Sequence, residues 1–281
     1  MMAKATWWVR IVRLLCVSVI LLFVVMALYP LFWMVMTAFK TYGESITWPP
    51  SFFPRKFLMD NFKTVFSIEL FWRYFFNTAF YAIVGTFFSV LFSSMAGYAF
   101  SKFEFRGKKL LFMLVLSTMM IPAQVTIVPV FLICSSLKWL NTFWGLIIPG
   151  LASAFGIFLV RQFAQTIPND FFDAARVDGA SEFRIFVQIF QPLIMPALTT
   201  LVVLDFMNRW NDLFWPLIVA GSQDMKTLQL ALTSEFRTLY DTRWSELAAA
   251  MCIAAFPVLL LYALFQKYFT KGIVLTSGIK G

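Results

Sequence analysis

Six long apolar stretches constrain this chain more than any other feature. They run approximately over Ile11–Phe39, Tyr74–Phe100, Leu110–Leu137, Thr142–Phe163, Ile194–Ala220 and Leu247–Phe269. A helix needs about 20 apolar residues to cross the roughly 30 Å hydrocarbon core of a bilayer, and each stretch is long enough. Because backbone polar groups inside lipid must be hydrogen-bonded within the protein, the stretches predict an all-α integral membrane protein with six transmembrane helices.

The composition supports a membrane protein and argues against an enzyme. Of the 281 residues, 60% are hydrophobic and 13% are charged, which is more apolar surface than a soluble domain of this size can bury. The absence of histidine excludes His-based catalytic triads and His metal sites. The three cysteines, Cys16, Cys134 and Cys252, lie within apolar stretches without metal-like spacing, so we interpret them as packing residues. We expect no catalytic residue and no metal site.

Basic residues predict how the chain is oriented in the membrane. The net charge of +9 is explained by basic loops facing anionic lipid, so we expect a lipid partner and no nucleic acid. Lys4, Arg10 and Arg13, at the start of the first span, resemble the basic region of a signal sequence, but the apolar run is too long for a signal peptide. A short link after the second stretch concentrates four basic residues: Lys102, Arg106, Lys108 and Lys109. The positive-inside rule then predicts that both termini are cytoplasmic.

We divide the chain into three parts from these patterns. Residues 1–39 form an N-terminal tail and first transmembrane helix, and residues 40–73 form an external loop rich in proline. Residues 74–281 form a core of five transmembrane helices that includes a cytoplasmic loop at 164–192. In the third stretch, Pro122 predicts a kink or an early exit from the membrane.

The cytoplasmic loop predicts two short helices with a break between them. Pro168 ends the preceding structure, and Asn169 or Asp170 is placed to cap the first helix. Gly179 permits a turn that a side chain would strain, and Ser181 is placed to cap the second helix. That second helix carries apolar residues along one face: Phe183, Phe186, Val187 and Phe190. A bent helix pair of this kind is suited to enter a groove of another protein.

The spacing in this loop resembles the EAA loop of bacterial ABC-importer permeases. In that family the sequence Glu-Ala-Ala is followed by three residues and then Gly. Nine further residues lead to Ile, one more residue and Leu-Pro. In this chain Asp173 replaces the Glu, and Gln191 replaces the Leu. The resemblance implies a type I ABC importer permease fold that is driven by a separate ATPase. It also implies these ATPase-coupling residues: Asp173, Ala174, Ala175, Asp178, Gly179, Ala180, Phe183, Ile189 and Pro192.

No phosphate-binding loop of the form GxxxxGK[ST] is present, because the chain's one Gly-Lys pair, Gly107-Lys108, lacks the upstream glycine and the following Ser or Thr. We therefore expect this chain to bind no cofactor, with ATP and Mg²⁺ held by partner subunits.

A polar stripe interrupts the fifth apolar stretch. It contains Asp205, Asn208, Arg209, Asn211, Asp212 and Trp215. At about 100° per residue, Asp205, Arg209 and Asp212 share one helix face, and their spacings suit ion pairs between Asp205 and Arg209 and between Arg209 and Asp212. Ionisable groups at membrane depth are costly, so they are functional candidates. Two interpretations stay open: a self-neutralised stripe that joins helices, and a water-lined substrate path.

Further segments resemble the carbohydrate branch of the family, which includes the smaller maltose-type permease. These segments are Trp210–Ile218, Gly97–Phe100, Met120–Gln124, Leu140–Thr142 and the closing Gly278–Gly281. This resemblance implies uptake of a mono- or oligosaccharide, neutral or acidic, by alternating access across a bacterial inner membrane. It also implies a heterodimer with a second homologous permease, two ATP-binding subunits and an extracytoplasmic solute-binding protein.

Two alternatives to carbohydrate uptake remain at this point. The first is the same class of importer carrying a sugar phosphate or a polyol. The second is a secondary transporter that uses Asp205 or Asp212 as an ion site. A secondary transporter would explain the polar stripe but would leave the Asp173 loop unexplained.

Overall fold

The computed structural model describes residues 7–236 and 242–277, and the side chains of all of these except Arg10 and residues 267–277. Lys4 and the closing Gly278–Gly281 segment lie outside the described residues. In the described part of the chain the regular structure is helical and contains no β-strand, which confirms the predicted all-α class. The chain divides into two compact units, one of residues 1–69 and 234–255, the other of residues 70–233 and 256–281.

Fifteen α-helices occur in the described residues. In chain order they are α1 (Trp7–Ala38), α2 (Tyr42–Ile46), α3 (Asp60–Ser67), α4 (Phe71–Lys102), α5 (Lys108–Thr118), α6 (Ala123–Ser136), α7 (Phe143–Ile147), α8 (Ala154–Gln165), α9 (Asp170–Val177), α10 (Glu182–Ile185), α11 (Gln191–Leu193), α12 (Met195–Trp210), α13 (Phe214–Val219), α14 (Leu228–Ser234) and α15 (Trp244–Ser277). Short 3₁₀ turns cover Ile148–Gly150 and Gln223–Met225, and a π-helical turn covers Phe186–Phe190.

The first unit combines α1 with a folded segment that the sequence predicts to be external, here called the external segment (residues 40–69). The apolar side chains of α1 are exposed along most of its length, as in a helix whose surroundings are lipid or other membrane helices. After α1, Lys40 is buried, donates to the Ser51 carbonyl at 2.5 Å and lies 4.3 Å from the Trp33 ring centroid. Thr41 and Glu44 form a capping box on α2. The Glu44 carboxylate also accepts a hydrogen bond from the Arg55 backbone N–H, which lowers the pKa of Glu44. The external segment is therefore an ordered structure.

Among the described residues, three helices are each long and apolar enough to cross a membrane: α1, α4 and α15. Three more spans arise only if bent pairs count as one: α5 with α6 at 99°, Phe143–Gly150 with α8 at 42°, and Glu182–Leu193 with α12 at 79°. Six spans are thus reached by length and composition, as predicted. The predicted break near Pro122 is confirmed, because Pro122 lies at the 99° bend and immediately precedes α6.

Two predicted stretches are not continuous helices. The fourth bends between Gly150 and Ala154, where the Ser153 side chain caps α8 by accepting the Gly156 N–H at 3.0 Å. The fifth was predicted to continue to Ala220, which is wrong, because α12 ends at Trp210. The next helix, α13, begins at Phe214. Asp212 accepts the Trp215 N–H of its first turn at 3.3 Å, and Pro216 needs no helical partner for its nitrogen there.

Small residues let α4 approach its neighbours closely in the second unit. Helix α4 packs against α8 and α12. A Cβ at Gly97 would overlap Val160 of α8, and a Cβ at Gly156 of α8 would overlap Ser93 of α4. Close backbone approach through Gly and Ser is typical of helix packing in membranes, where burial of apolar surface supplies little driving force between helices. Helix α4 is consequently the central element of this unit.

Candidate functional site

The loop predicted to be cytoplasmic, here called the elbow (residues 164–192), folds as the bent helix pair that its sequence predicts. Helices α9 and α10 are separated by Gly179, whose φ of +76° lies in the left-handed region that favours glycine. Ser181 caps α10 by accepting the Arg184 N–H at 3.4 Å, as predicted. Asn169 occupies the position before α9 but makes no capping bond, because its side-chain oxygen accepts from Lys102 of α4 at 3.0 Å.

One side of the elbow is anchored in an apolar cluster, and the other side is open. Phe172, Ile185 and Phe190 are buried in a cluster with Tyr98 of α4 and Val160 of α8. The predicted single apolar face of the second helix is wrong in part, since Phe190 is buried but Phe183 is 77% exposed. The physical reason is the π-helical turn at Phe186–Phe190, whose i→i+5 bonds change the angular spacing of the side chains.

A network of charged and hydroxyl groups ties the two elbow helices together. Arg176 of α9 pairs with Asp173 at 2.8 Å and with Glu182 of α10 at 2.7 Å. Glu182 also accepts a hydrogen bond from the Tyr98 hydroxyl at 3.0 Å. The hydrogen bond between Glu182 and Arg176 raises the pKa of Arg176. Asp173, the residue that replaces the family Glu, therefore directs its carboxylate toward a group within the elbow.

The nine predicted coupling residues all lie in the elbow, but they differ in exposure. Ala175 is buried, Ala180 and Ile189 are half-buried, and six are exposed: Asp173, Ala174, Asp178, Gly179, Phe183 and Pro192. Sequence reasoning missed Phe171, which is exposed, and Val177, which at 88% exposed is more open than any of the elbow's other large apolar side chains. The available signal was that both flank the Asp-Ala-Ala motif as apolar residues on a short polar helix. Their role in coupling stays a prediction.

Gln191, the second departure from the family pattern, has a defined partner. Its side-chain amide donates to the Ser94 hydroxyl of α4 at 2.6 Å. An amide at a partly buried position is costly unless it is hydrogen-bonded, and this contact removes that cost. The substitution is therefore accommodated by α4, which no local feature of the elbow sequence could have indicated.

In the polar stripe, Arg209 and Asp205 form a sealed pair. Arg209 is 6% exposed, donates to Asp205 at 2.7 Å and to the Gly150 carbonyl at 2.6 Å. Ser89 of α4 donates to Asp205 at 3.4 Å. The guanidinium fills the space over Gly85 of α4, where an added Cβ would lie 2.7 Å from Nη1. For these two residues the geometry favours the first interpretation, a self-neutralised pair that joins α12, α4 and the Gly150 turn.

Asp212 has different partners from those predicted. Within the described residues it forms no ion pair with Arg209, so that prediction is wrong. It accepts the Tyr81 hydroxyl of α4 at 3.0 Å and the Trp215 N–H at 3.3 Å. The cause is the end of α12 at Trp210, which takes Asp212 off the helix face that carries Asp205 and Arg209.

A cavity of about 350 Å³ lies beside Asp212, between α4, α6, the Gly150 turn and α13. The residues that line it are Tyr81, Ala123, Gln124, Thr126, Ile127, Val130, Leu146, Pro149, Gly150, Asp212, Phe214 and Trp215. The Trp215 indole is held in place by its N–H, which donates to the Gly145 carbonyl at 3.0 Å. The cavity thus combines a carboxylate, an amide, hydroxyls and aromatic faces in an otherwise apolar surround.

The predicted substrate-path residues are therefore separated into three groups. Asp212 and Trp215 line the cavity, Asp205 and Arg209 are sealed outside it, and Asn208 and Asn211 are exposed elsewhere. Sequence reasoning missed Tyr81 and Gln124 as lining residues. The Pro122 break was a signal for Gln124, because residues after a helix break can border a cavity. Tyr81 had no such signal, since its place depends on how α4 packs against α13.

The chain is similar to bacterial permease proteins over most of its length. It is 34% identical to the arabinooligosaccharides transport system permease protein AraQ of Halalkalibacterium halodurans over 91% of this chain and 92% of that protein. It is 32% identical to the lactose transport system permease protein LacG of Rhizobium radiobacter, covering 92% and 93%. It is 30% identical to the sn-glycerol-3-phosphate transport system permease protein UgpE of Escherichia coli, covering 92% and 94%.

Solved structures share the fold. A chain of a bacterial ABC transporter involved in the import of the acidic polysaccharide alginate superposes with a TM-score of 0.84 at 27% identity, covering 92% of this chain and 97% of that one. A second match, at TM-score 0.66 and 17% identity, comes from a bacterial alginate ABC transporter in complex with an alginate pentasaccharide-bound periplasmic protein. Both chains are covered nearly end to end, so the similarity extends over the whole permease fold.

A family model described as binding-protein-dependent transport system inner membrane component matches residues 89–274, which include the elbow, the polar stripe and the cavity-lining α6 and α13. This match covers more than half of the chain and agrees with the relatives and the fold. The chain therefore belongs to the binding-protein-dependent transport system inner membrane components, a family of multi-pass permeases of bacterial ABC importers.

Proposed function

We propose that this chain is the permease subunit of an ABC importer for a neutral carbohydrate, in which separate ATP-binding subunits move it through the elbow. The observation that carries the proposal is the elbow itself: a helix pair anchored on one side and open on the other. Relatives named for arabinooligosaccharide and lactose transport support the carbohydrate assignment. The chain contributes no catalytic group, and its part is to open and close a passage.

The open side of the elbow suits a groove in a partner protein. Phe171, Val177 and Phe183 present apolar side chains, and Asp178 adds a charge beside Gly179. Buried apolar anchors surrounded by polar groups are typical of protein interfaces. With Phe172, Ile185 and Phe190 holding the elbow to the membrane core, a push on this surface would move the core rather than deform a loop. We infer two such ATP-binding partners, one for this chain and one for a second homologous permease.

The cavity favours a neutral sugar over an anionic one. Asp212 can accept hydroxyl hydrogens, Gln124 can donate and accept, and Trp215 offers an aromatic face. No lysine or arginine lines this cavity among the described residues, and Arg209 is committed to Asp205 and Gly150. A phosphate or carboxylate would meet the Asp212 carboxylate without a compensating cation. This weighs against the sugar phosphate alternative, although UgpE is named for sn-glycerol-3-phosphate.

A secondary transporter is less consistent with the site. Asp205 is ion-paired, and an ion-binding carboxylate would need to release its partner. The elbow would also have no task in such a protein. In the proposed importer, an external solute-binding protein delivers the sugar, and ATP binding by the partners shifts the permease between inward- and outward-facing states.

Uptake by the assembled complex in proteoliposomes tests this proposal. We expect uptake of neutral oligosaccharides that requires internal ATP and the solute-binding protein and that survives an uncoupler. Asp212→Asn should lower neutral-sugar uptake by roughly tenfold to a hundredfold, since hydrogen bonds to a charged group are worth about 1.5–3 kcal/mol. The matched control is Asp60→Asn, the same change at an exposed external carboxylate that pairs with Lys63. Uptake driven by an ion gradient without ATP, or a preference for sugar phosphates, would overturn the proposal.

A further inference from the structure

Three side chains of α4 share one helix face and each contacts a different part of the elbow. Ser94, Tyr98 and Lys102 follow one another at intervals of four residues, so they lie along one face of the helix. Lys102 Nζ donates to the Ile167 carbonyl at 2.7 Å and to the Asn169 side chain at 3.0 Å, near the start of the elbow. Tyr98 and Ser94 contact the elbow further along its sequence.

The Tyr98 hydroxyl donates to Glu182 at 3.0 Å, at the beginning of the second elbow helix. Ser94 accepts the Gln191 amide at 2.6 Å, at the end of the elbow. These three α4 side chains therefore hold the elbow at both ends and in the middle. We call Ser94, Tyr98 and Lys102 the α4 clasp.

Aromatic packing surrounds the clasp and makes it stiff. The Tyr98 ring centroid lies 4.5 Å from that of Phe190 and 5.5 Å from that of Phe186. The Lys102 ammonium lies 4.7 Å from the ring centroid of Phe172. Arg176, paired with both Asp173 and Glu182, joins the first elbow helix to the group that Tyr98 holds. Displacement of either elbow helix would therefore pull on α4.

The same helix reaches the cavity and the buried ion pair. Helix α4 runs unbroken for 32 residues, and nearer its N-terminus Tyr81 donates to Asp212 while Gly85 and Ser89 contact the Arg209–Asp205 pair. At 1.5 Å per residue, Tyr81 and Tyr98 are roughly 25 Å apart along the axis. The covalent route from the elbow is less direct, because Glu182–Leu193 and α12 are bent by 79° relative to each other.

We infer that α4, gripped by the clasp, is the element that carries elbow displacement to the cavity. Ser94, Tyr98 and Lys102 are then positioning residues for ATP-coupled transport, acting through Gln191, Glu182 and the Ile167–Asn169 segment. The inference rests on the proposed function, because it assumes that a partner moves the elbow. It adds which helix receives the motion and which side chains transmit it.

The ratio of solute transported to ATP hydrolysed tests the clasp. This ratio is measured on one proteoliposome preparation of the full complex, with Ser94→Ala, Tyr98→Phe and Lys102→Met. Each variant should keep assembly and ATP hydrolysis but lower solute per ATP about threefold to tenfold, the range expected for loss of one hydrogen bond. Tyr98→Phe retains the ring in the aromatic cluster, so it tests the hydroxyl without opening a void. The control is Ser101→Ala, whose hydroxyl donates within α4 to the Tyr98 carbonyl at 3.0 Å.

Three further variants distinguish transmission from general damage. Lys102→Arg should restore most of the ratio lost in Lys102→Met. Gln191→Leu should match Ser94→Ala, and the double variant should lose no more than either single variant, because both remove one contact. If wild-type complex fails to couple ATP to uptake, the proposed function is wrong. If wild type couples but the clasp variants keep its ratio, or lose ATPase and uptake in proportion, the clasp alone is refuted.

Discussion

At the scale of single residues, Arg209 illustrates what sequence can and cannot predict. Its pairing with Asp205 was predictable, because residues four apart meet on a helix. Its contacts with Gly150 and Gly85 were not, since both belong to other elements distant in the chain. Asp212 was misassigned as a second partner because the end of α12 could not be located from the apolar pattern. The cost of burying the Arg209 charge is offset by its ion pair with Asp205 and its hydrogen bond to the Gly150 carbonyl.

Gly85→Ala tests whether the space over α4 is required by Arg209. Alanine is intrinsically about 1 kcal/mol better than glycine in a helix, so without a clash the variant should be more stable. An added Cβ would lie 2.7 Å from Nη1 and 2.9 Å from Cδ of Arg209, and overpacking of this kind costs about 1–3 kcal/mol. We therefore expect a lower melting temperature for the purified complex in detergent. Gly43→Ala, with nothing within 4 Å of the added Cβ, is the control; a stability gain at Gly85 would contradict the packing.

At the scale of elements, the elbow was the part best predicted. Gly179, Ser181 and the two short helices follow from local signals, because turns and caps depend on residues adjacent in sequence. The division between buried Phe190 and exposed Phe183 was missed, since it depends on the π-helical turn and on the surface of Tyr98. The partner of Gln191 was missed for a related reason: Ser94 is 97 positions away.

Gly179→Pro should disable the elbow without preventing membrane insertion. Proline requires a φ near −65°, whereas Gly179 has a φ of +76° and donates its N–H to the Arg176 carbonyl at 3.0 Å. We expect transport-linked ATPase activity of the assembled complex to fall to its uncoupled level. Gly107→Pro imposes the same backbone conflict at a φ of +81° in the link between α4 and α5. Coupling that survives at Gly179, or fails equally at Gly107, would argue against a specific role of the elbow.

At the scale of the whole molecule, the apolar stretches were sufficient to predict the all-α class, and their number equals the six candidate spans found in the described residues when each bent pair counts as one. They were insufficient for the course of three spans, because each bend is set by a few capping and proline residues within an apolar run. At such points Ser153 caps α8, and Asp212 accepts a backbone N–H in the first turn of α13. Residues at or beside these breaks, including Ala123, Gly150 and Asp212, line the cavity. The cytoplasmic placement of both termini and of the elbow remains a prediction from the charge distribution.

The central claim is that this permease is moved by a separate ATP-hydrolysing subunit that binds the open side of the elbow. Site-specific cross-linking tests it most directly, with Val177→Cys placed on that surface in a complex whose native Cys16, Cys134 and Cys252 are replaced by alanine. Val177 is 88% exposed; the matched control, Phe53→Cys, is 64% exposed in the external segment. We expect Val177→Cys to cross-link to a nucleotide-hydrolysing subunit and Phe53→Cys not to do so. Sugar uptake by the chain with no such subunit at Val177 would contradict the account.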